Sequence, residues 1–140
     1  MERINGGCLC GQVRYTVDAK PIVTRACWCT LCQRLASGNA TVNLAFPSCA
    51  VTVVGELQDY ASIADSGNKM HRRFCPKCGV HLFSEAEERP KIIVIRAGTL
   101  DNAEQVVIEG IIWTSEAPSW AYLDPNVVHF EKQPPAPNVE

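Results

Sequence analysis

Seven of the eight cysteines fall into three tight clusters: Cys8-Leu9-Cys10, Cys27-Trp28-Cys29-Thr30-Leu31-Cys32 and Cys75-Pro76-Lys77-Cys78. Thiolates two or three residues apart can converge on one ion from a tight turn, and a tetrahedron of soft sulfur donors is the arrangement zinc favours. Turn-forming residues accompany the clusters: Gly11 follows Cys10, Gly79 follows Cys78, and Pro76 stiffens the last pair. Iron–sulfur is a weaker alternative, since tetrahedral thiolate sites hold either metal. A disulfide framework is the remaining alternative. A reducing compartment and spacings this short argue against it, although the residues alone leave the pairing open.

Seven clustered cysteines are one short of two complete four-cysteine sites. The economical division is one closed site and one open site. Cys8, Cys10, Cys75 and Cys78 would form the closed, structural one, tying the start of the chain to its middle. Cys27, Cys29 and Cys32 would form a three-ligand site with its fourth position free. Structural zinc is saturated by protein, whereas catalytic zinc keeps a place for water or substrate. The competing expectation is that a histidine closes the second site, with His71, His81 and His129 available.

The rest of the composition bounds the function classes. A chain of 140 residues is one domain with room for a core. A formal net charge of −2, without a Lys/Arg stripe, disfavours a nucleic-acid binder. The longest aliphatic run, Ile92 to Ile95, is far short of the roughly 20 residues of a membrane span. Residues 1–7 contain no apolar stretch of a secretory signal, so a cytoplasmic location is expected.

The elements that must position these cysteines read mostly as strands. Val13–Val17 alternates apolar and polar residues; Thr41–Phe46, Val51–Val54, Leu57–Ala61 and Arg72–Phe74 are short and rich in β-branched or aromatic residues. Lys91–Ala97 is the clearest buried strand, and Val106–Trp113 is another, weakened by Gly110. A short helix is expected over Thr30–Ala36, ended by Gly38 or Asn39. Residues 1–132 would be one zinc-stapled, mainly-β domain and residues 133–140 a flexible proline-rich tail.

With these residues in hand, the chain resembles the glutathione-dependent formaldehyde-activating enzyme family, the Gfa-like or centromere-protein-V-type domain. The matching pieces come in order. They are Gly6-Gly7-Cys8-Leu9-Cys10-Gly11 with Val13-Arg14-Tyr15, then Cys27-Trp28-Cys29 with Cys32 and Arg34. Arg73-Phe74-Cys75 with Cys78-Gly79 and Leu82, Gly98-Thr99-Leu100-Asp101, and Ala117-Pro118-Ser119-Trp120 follow. Members often carry histidine where Trp28 stands and in the stretch read here as Gly110-Ile111-Ile112-Trp113. The resemblance implies a β-tent fold, small antiparallel sheets organised around zinc. It also implies two zinc ions per chain, a structural one on Cys8, Cys10, Cys75 and Cys78 and a catalytic one on Cys27, Cys29 and Cys32. The implied activity is that of a carbon–sulfur lyase, interconverting glutathione plus formaldehyde and S-hydroxymethylglutathione. Glutathione or a similar small thiol is the expected partner, with no nucleic acid and no membrane.

A thiolate-rich zinc suits an incoming sulfur, because the metal deprotonates a coordinating thiol. Arg34, Arg72 and Arg73 could grip the carboxylates of glutathione through paired hydrogen bonds, or simply be solvated charges. Trp28 either walls the metal pocket or packs in the core. His71 and His81 read as structural histidines rather than catalytic ones, and Cys49 reads as a buried small hydrophobe. The alternative function is a zinc-stabilised binding module without catalysis, with Trp113, Trp120 and Tyr122 as anchors.

Overall fold

A computed structural model describes residues 2–64 and 67–137 of the chain. The strands are β1 (Ile4–Gly7), β2 (Arg14–Val17), β3 (Val23–Cys27), β4 (Thr41–Pro47), β5 (Val51–Val54), β6 (Gln58–Ile63), β7 (Lys69–Phe74), β8 (His81–Ala86), β9 (Ile92–Arg96), β10 (Gly110–Ile112) and β11 (Val128–His129); one helix, α1 (Thr30–Leu35), follows β3. They form two sheets. A three-stranded antiparallel sheet runs β1-β2-β5, and an eight-stranded sheet runs β11-β10-β3-β4-β9-β8-β7-β6. The large sheet is antiparallel except at one end, where β10 lies parallel to both β3 and β11. The domain is mainly β, as the residue pattern predicts.

Period-two alternation places the core between the sheets. In β2, Tyr15 and Val17 are buried, while Arg14 is exposed and Thr16 is half-buried. Opposite them, Phe83 of β8 pairs with Ile95 of β9, and Ile95 with Leu44 of β4. Tyr15, Phe83, Leu44, Phe46, Leu82 and Ile95 are all at most 2% exposed. The Tyr15 and Phe83 rings meet edge to face at 5.3 Å, the geometry their quadrupoles favour. Truncating Phe83 to Ala would cost roughly 3–5 kcal/mol. Thr99 Oγ1 donates to Arg96 O at 2.7 Å, so in the 2.7 Å contact with Tyr15 the phenol is the donor. Burial pushes the Tyr15 hydroxyl up to about 12, keeping that donor protonated. Gly6 is required where β1 crosses this contact: a Cβ there would collide with Thr99 O and the Tyr15 hydroxyl.

The opposite face of the large sheet is polar. Cys27 pairs with Thr41, Asn43 with Arg96, Ser84 with Val94, and Arg72 with Ser84. Cross-strand partners and residues two apart share a face, so these side chains look out on one side, where α1 lies beside β4.

The structure corrects several sequence expectations. Val106–Trp113 forms a strand only over β10; Ala103–Gln105 is a 3₁₀ turn. The helix stops at Leu35 with Ala36 as its cap, and Ser37 already adopts a left-handed conformation (φ 58°) ahead of Gly38. Strands β1, β3, β8 and β11 are additions to the segments read from the sequence. Separately from these corrections, residues of the C-terminal segment make contacts: Pro134 is buried, Gln133 Oε1 accepts from Trp113 Nε1 at 3.0 Å, and Pro137 O accepts from Arg89 at 3.3 Å. Residues 138–140 lie outside the described residues.

Candidate functional site

The first cluster joins two turns. Cys8 and Cys10 lie between β1 and β2, and Cys75 and Cys78 between β7 and β8. Gly11 (φ 84°) and Gly79 (φ 78°) take the left-handed conformation that turns the chain after each pair. The four Sγ atoms lie within 4.8 Å of one another. Cys8 and Cys10 Sγ are 3.6 Å apart, Cys10 and Cys75 Sγ 3.7 Å. A tetrahedral zinc with bonds of about 2.3 Å has sulfur–sulfur edges of about 3.8 Å, so the donors fit that ion. Backbone N–H groups point at the sulfurs: Val13 N donates to Cys8 Sγ at 3.3 Å, and Lys77 N and Cys78 N to Cys75 Sγ at 3.4 and 3.5 Å. Such donors favour thiolate over thiol. Cys78 is held at a pKa of about 6, chiefly by the Val80 and Cys10 backbone hydrogen bonds.

The second cluster is built by one short stretch of chain. Cys27 ends β3, Cys29 is the N-cap of α1 and Cys32 sits in its first turn, with Cys32 N donating to Cys29 Sγ at 3.3 Å. Their Sγ atoms lie within 4.8 Å of one another, and no histidine, aspartate or glutamate joins them at that separation among the described residues. Cys27 and Cys32 are buried, with Ile112, Trp113 and Phe130 packed around them. Cys32 carries negative charge most readily: hydrogen bonds from the Cys27 and Cys29 thiols, then the Thr41 hydroxyl and the field of Arg96, hold it far below the ordinary thiol range. The same sharing pushes Cys27 up.

Two groups outside the cysteine motif hold this loop. Glu116 Oε1 accepts from Thr30 N at 2.8 Å. Gln33 Nε2 donates to Trp28 O at 2.8 Å and to Glu116 O at 3.1 Å. The chain reaches this position through Trp113, whose left-handed backbone (φ 58°, ψ 38°) is uncommon for a bulky residue. Neither Glu116 nor Phe130 carries a sequence signal, because each acts across more than 80 residues of chain.

Beside the second cluster the polar sheet face and α1 enclose two adjoining cavities of about 500 and about 310 Å³. They share Leu35, Gly79 and His81 on their walls. Thr41 links cluster and cavity: it lines the larger one, pairs with Cys27 across the β3–β4 ladder, helps to lower the Cys32 pKa, and accepts from Asn43 Nδ2 at 3.0 Å. Asn43 Oδ1 accepts in turn from Arg96 Nη1, and Arg96 Nε donates to His81 Nδ1 at 3.4 Å. His81 Nε2 donates to Phe83 O at 3.1 Å. Burial and then the charge of Arg96 press His81 down to about 4, so it is neutral at pH 7.

The remaining candidates separate. Arg34 and Arg72 line the smaller cavity together. Arg73 projects to the opposite face of β7 and is held by Glu85 at 2.9 Å. His71 lies between Asp59 and Glu87, and exposed His129 donates to Asp124 O, both away from the cysteines. Trp28 is core: it packs with Ala26 and Ile111, its ring edge-on to Trp120 at 5.8 Å. Cys49 is exposed, correcting the expectation of a buried small hydrophobe; in the Ser48–Ala50 turn it is Ala50 that packs inward. All eight cysteines are free thiols.

The fold is similar to that of a Rhodobacter sphaeroides protein of known crystal structure, with a TM-score of 0.58 and 17% identity over 90% of this chain and 98% of that one. The sequence model of the glutathione-dependent formaldehyde-activating enzymes matches residues 3–116. That match takes in both cysteine clusters, the cavity walls and the Glu116 cap, and the chain belongs to the glutathione-dependent formaldehyde-activating enzyme family.

Proposed function

We propose that this protein is a zinc-dependent carbon–sulfur lyase acting on the adduct of a small thiol, glutathione, with an aldehyde such as formaldehyde. The observation that carries this reading is the three-sulfur cluster of Cys27, Cys29 and Cys32, which has no fourth protein donor among the described residues, while Thr41, the partner of Cys27 across the β3–β4 ladder, lies on the wall of the larger cavity. Cys8, Cys10, Cys75 and Cys78 hold a structural zinc in this reading, and residues 1–132 are the working domain. A zinc ion on the three thiolates would keep a coordinated thiol deprotonated at neutral pH. The chain's own residues do the rest. Thr41 and the Cys29 backbone turn orient the sulfurs. Ile112, Trp113 and Phe130 keep bulk water from their far side. The cavity holds thiol and aldehyde in contact, which matters more than lowering a large barrier, since formaldehyde adds to thiols unaided. In the forward direction the thiolate sulfur bonds to the carbonyl carbon. The π pair moves to oxygen, which takes a proton from solvent, and the reverse step expels the thiolate.

Free thiols throughout suit a reducing, cytoplasmic setting. No helix among the described residues is long and apolar enough to cross a membrane. The test is NMR exchange between formaldehyde and S-hydroxymethylglutathione with zinc-loaded wild type, Cys32→Ala and no protein. Acceleration by wild type is expected, with Cys32→Ala at the uncatalysed rate and an unchanged far-UV spectrum. No acceleration by wild type rejects this substrate pair. Should no small thiol perturb a cobalt ion substituted at the site, the binding-module reading takes its place, with exposed Trp120 and Tyr122 as the anchors.

A further inference from the structure

The family match ends at residue 116, yet the chain that follows grips the open cluster from both faces of the sheet. Alternation in β10 divides the contacts. Ile111 pairs with Ala26 and Ile112 with Cys27, so the two isoleucines look to opposite sides. On the Ile111 side, Ala117, Ala121, Leu123 and Val127 pack against the cluster of Ala26, Trp28 and Ile111. Trp28 stands between Cys27 and Cys29, and Trp120 meets its ring edge-on. The chain then passes along the sheet edge as β11, parallel to β10. On the Ile112 side Phe130 packs against the cluster of Cys27, Cys32 and Ile112, with the Arg25 guanidinium 5.5 Å from its ring centroid.

Hydrogen bonds carry the grip on to the helix. Phe130 N donates to Ile111 O at 2.8 Å, and Phe130 O accepts from Thr114 N at 3.1 Å. Glu131 O accepts from Ser115 N at 3.3 Å and from Ser115 Oγ at 2.6 Å, while Gln133 Oε1 holds the Trp113 indole. These bonds fix the turn from which Glu116 reaches Thr30 N at the start of α1. One segment therefore bears on all three sulfurs: on Cys27 through the Phe130 ring, and on Cys29 and Cys32 through Glu116. Such support is needed. Three thiolates brought together repel one another, and α1 is too short to hold its own shape. Donors held ready from outside spare the ion the cost of ordering them.

We propose that residues 117–133 are a clasp that preorganises Cys27, Cys29 and Cys32 for zinc, with Phe130 as its positioning residue. The clasp acts on this cluster alone, because Cys8 and Cys75 belong instead to the main core with Tyr15 and Leu82. The proposal rests on zinc binding at the open cluster, as the reading above does, but not on which thiol or aldehyde reacts there. Coupling of this kind is reciprocal. If the clasp strengthens zinc at the cluster, zinc there must hold the clasp shut by the same factor.

The experiment has two arms, both on the full chain. In a zinc competition titration against a chromophoric chelator, Phe130→Ala is expected to weaken the open cluster roughly tenfold and to leave the four-cysteine site unchanged. Phe130→Leu, which refills much of the space, should recover part of the loss. In wild type, amide hydrogen exchange is compared between the two-zinc form and the one-zinc form left by mild chelation. Zinc at the open cluster should slow exchange at Thr114, Ser115 and Phe130 roughly tenfold, with β2 unaffected. Wild-type affinity in Phe130→Ala, equal weakening at both sites, or exchange at these amides that ignores the zinc each overturns the clasp. If Phe130→Ala does not fold, the exchange arm on wild type decides. Phe130-dependent zinc binding without any acceleration of the formaldehyde–glutathione exchange keeps the clasp and rejects that substrate pair. Acceleration by wild type with Phe130-independent zinc binding does the reverse, and a chain that takes up no zinc at Cys27, Cys29 and Cys32 overturns both.

Discussion

His71 hydrogen-bonds through both ring nitrogens, Nδ1 to Asp59 at 2.6 Å and Nε2 to Glu87 at 3.2 Å. A neutral imidazole has only one N–H to donate, so two carboxylate acceptors favour the doubly protonated ring. Hydrogen bonds to Asp59 and then Glu87 raise the pKa, against desolvation and the nearby charge of Arg73. Because the folded pKa lies above the unfolded value of about 6.5, this contact's stabilisation is fully present below pH 6.5. It is lost as pH rises through the folded pKa. We predict that wild type exceeds His71→Gln in stability at pH 6 and that the gap closes by pH 9, read as the difference in urea midpoints. A gap that widened with pH would mean that the ring is neutral in the fold. His81 has the opposite sign. Its depressed pKa gives stability that is present above pH 6.5 and lost as pH falls towards about 4.

At the scale of the element, α1 has six residues, far too few to be helical alone. Two long-range bonds hold it, the Glu116 carboxylate on Thr30 N and Gln33 Nε2 on Glu116 O, beside the local Gln33 bond to Trp28 O and the Cys29 cap. Two of the three sulfurs of the open cluster ride on this turn. Glu116→Ala should therefore weaken zinc at Cys27, Cys29 and Cys32 by roughly tenfold, as the loss of a supporting group around a metal does. Helix capping itself contributes about 1 kcal/mol. A competition titration against a chromophoric chelator reads the affinity, and the four-cysteine site serves as the internal control. Equal weakening at both sites would point to general loosening of the fold instead.

For the whole molecule, the first cluster fastens the β1–β2 turn to the β7–β8 turn, and so the small sheet to the large one. Cys75 is fully buried there. Structural zinc contributes on the order of 10 kcal/mol to folding in small domains, comparable to the whole stability of a domain. Cys75→Ser is expected to be insoluble or unfolded by circular dichroism; a soluble, native-like variant would remove the structural role. The two sites should also empty in order. A zinc ion held by the three sulfurs of Cys27, Cys29 and Cys32 would have one protein donor fewer than one held by four, and so would yield to chelators first. Timed chelation followed by elemental analysis should then show a plateau near one zinc per chain before secondary structure is lost.

The cysteine spacing determined by itself which sulfurs meet within each C-x-C or C-x-x-C turn, because such turns are local geometry and glycines mark where they close; bringing Cys10 to Cys75 across 65 residues was the work of the fold. Strands such as Val51–Val54 and Ile92–Arg96 were equally legible, since alternation and β-branched runs act within a few residues. Tertiary structure decided what local pattern cannot carry. Strand parity and register, set by burial of Phe83, Ile95 and Leu44 on one face, sent Arg72 to the cleft and Arg73 to Glu85. Parallel pairing of β10 with β3 cut the expected Val106–Trp113 strand to three residues and brought Trp113 and Phe130 against Cys27. Arg96, Asn43 and Glu116 became parts of the site only through contacts spanning 53 and 86 residues of chain, distances over which sequence pattern carries no signal and packing alone selects partners.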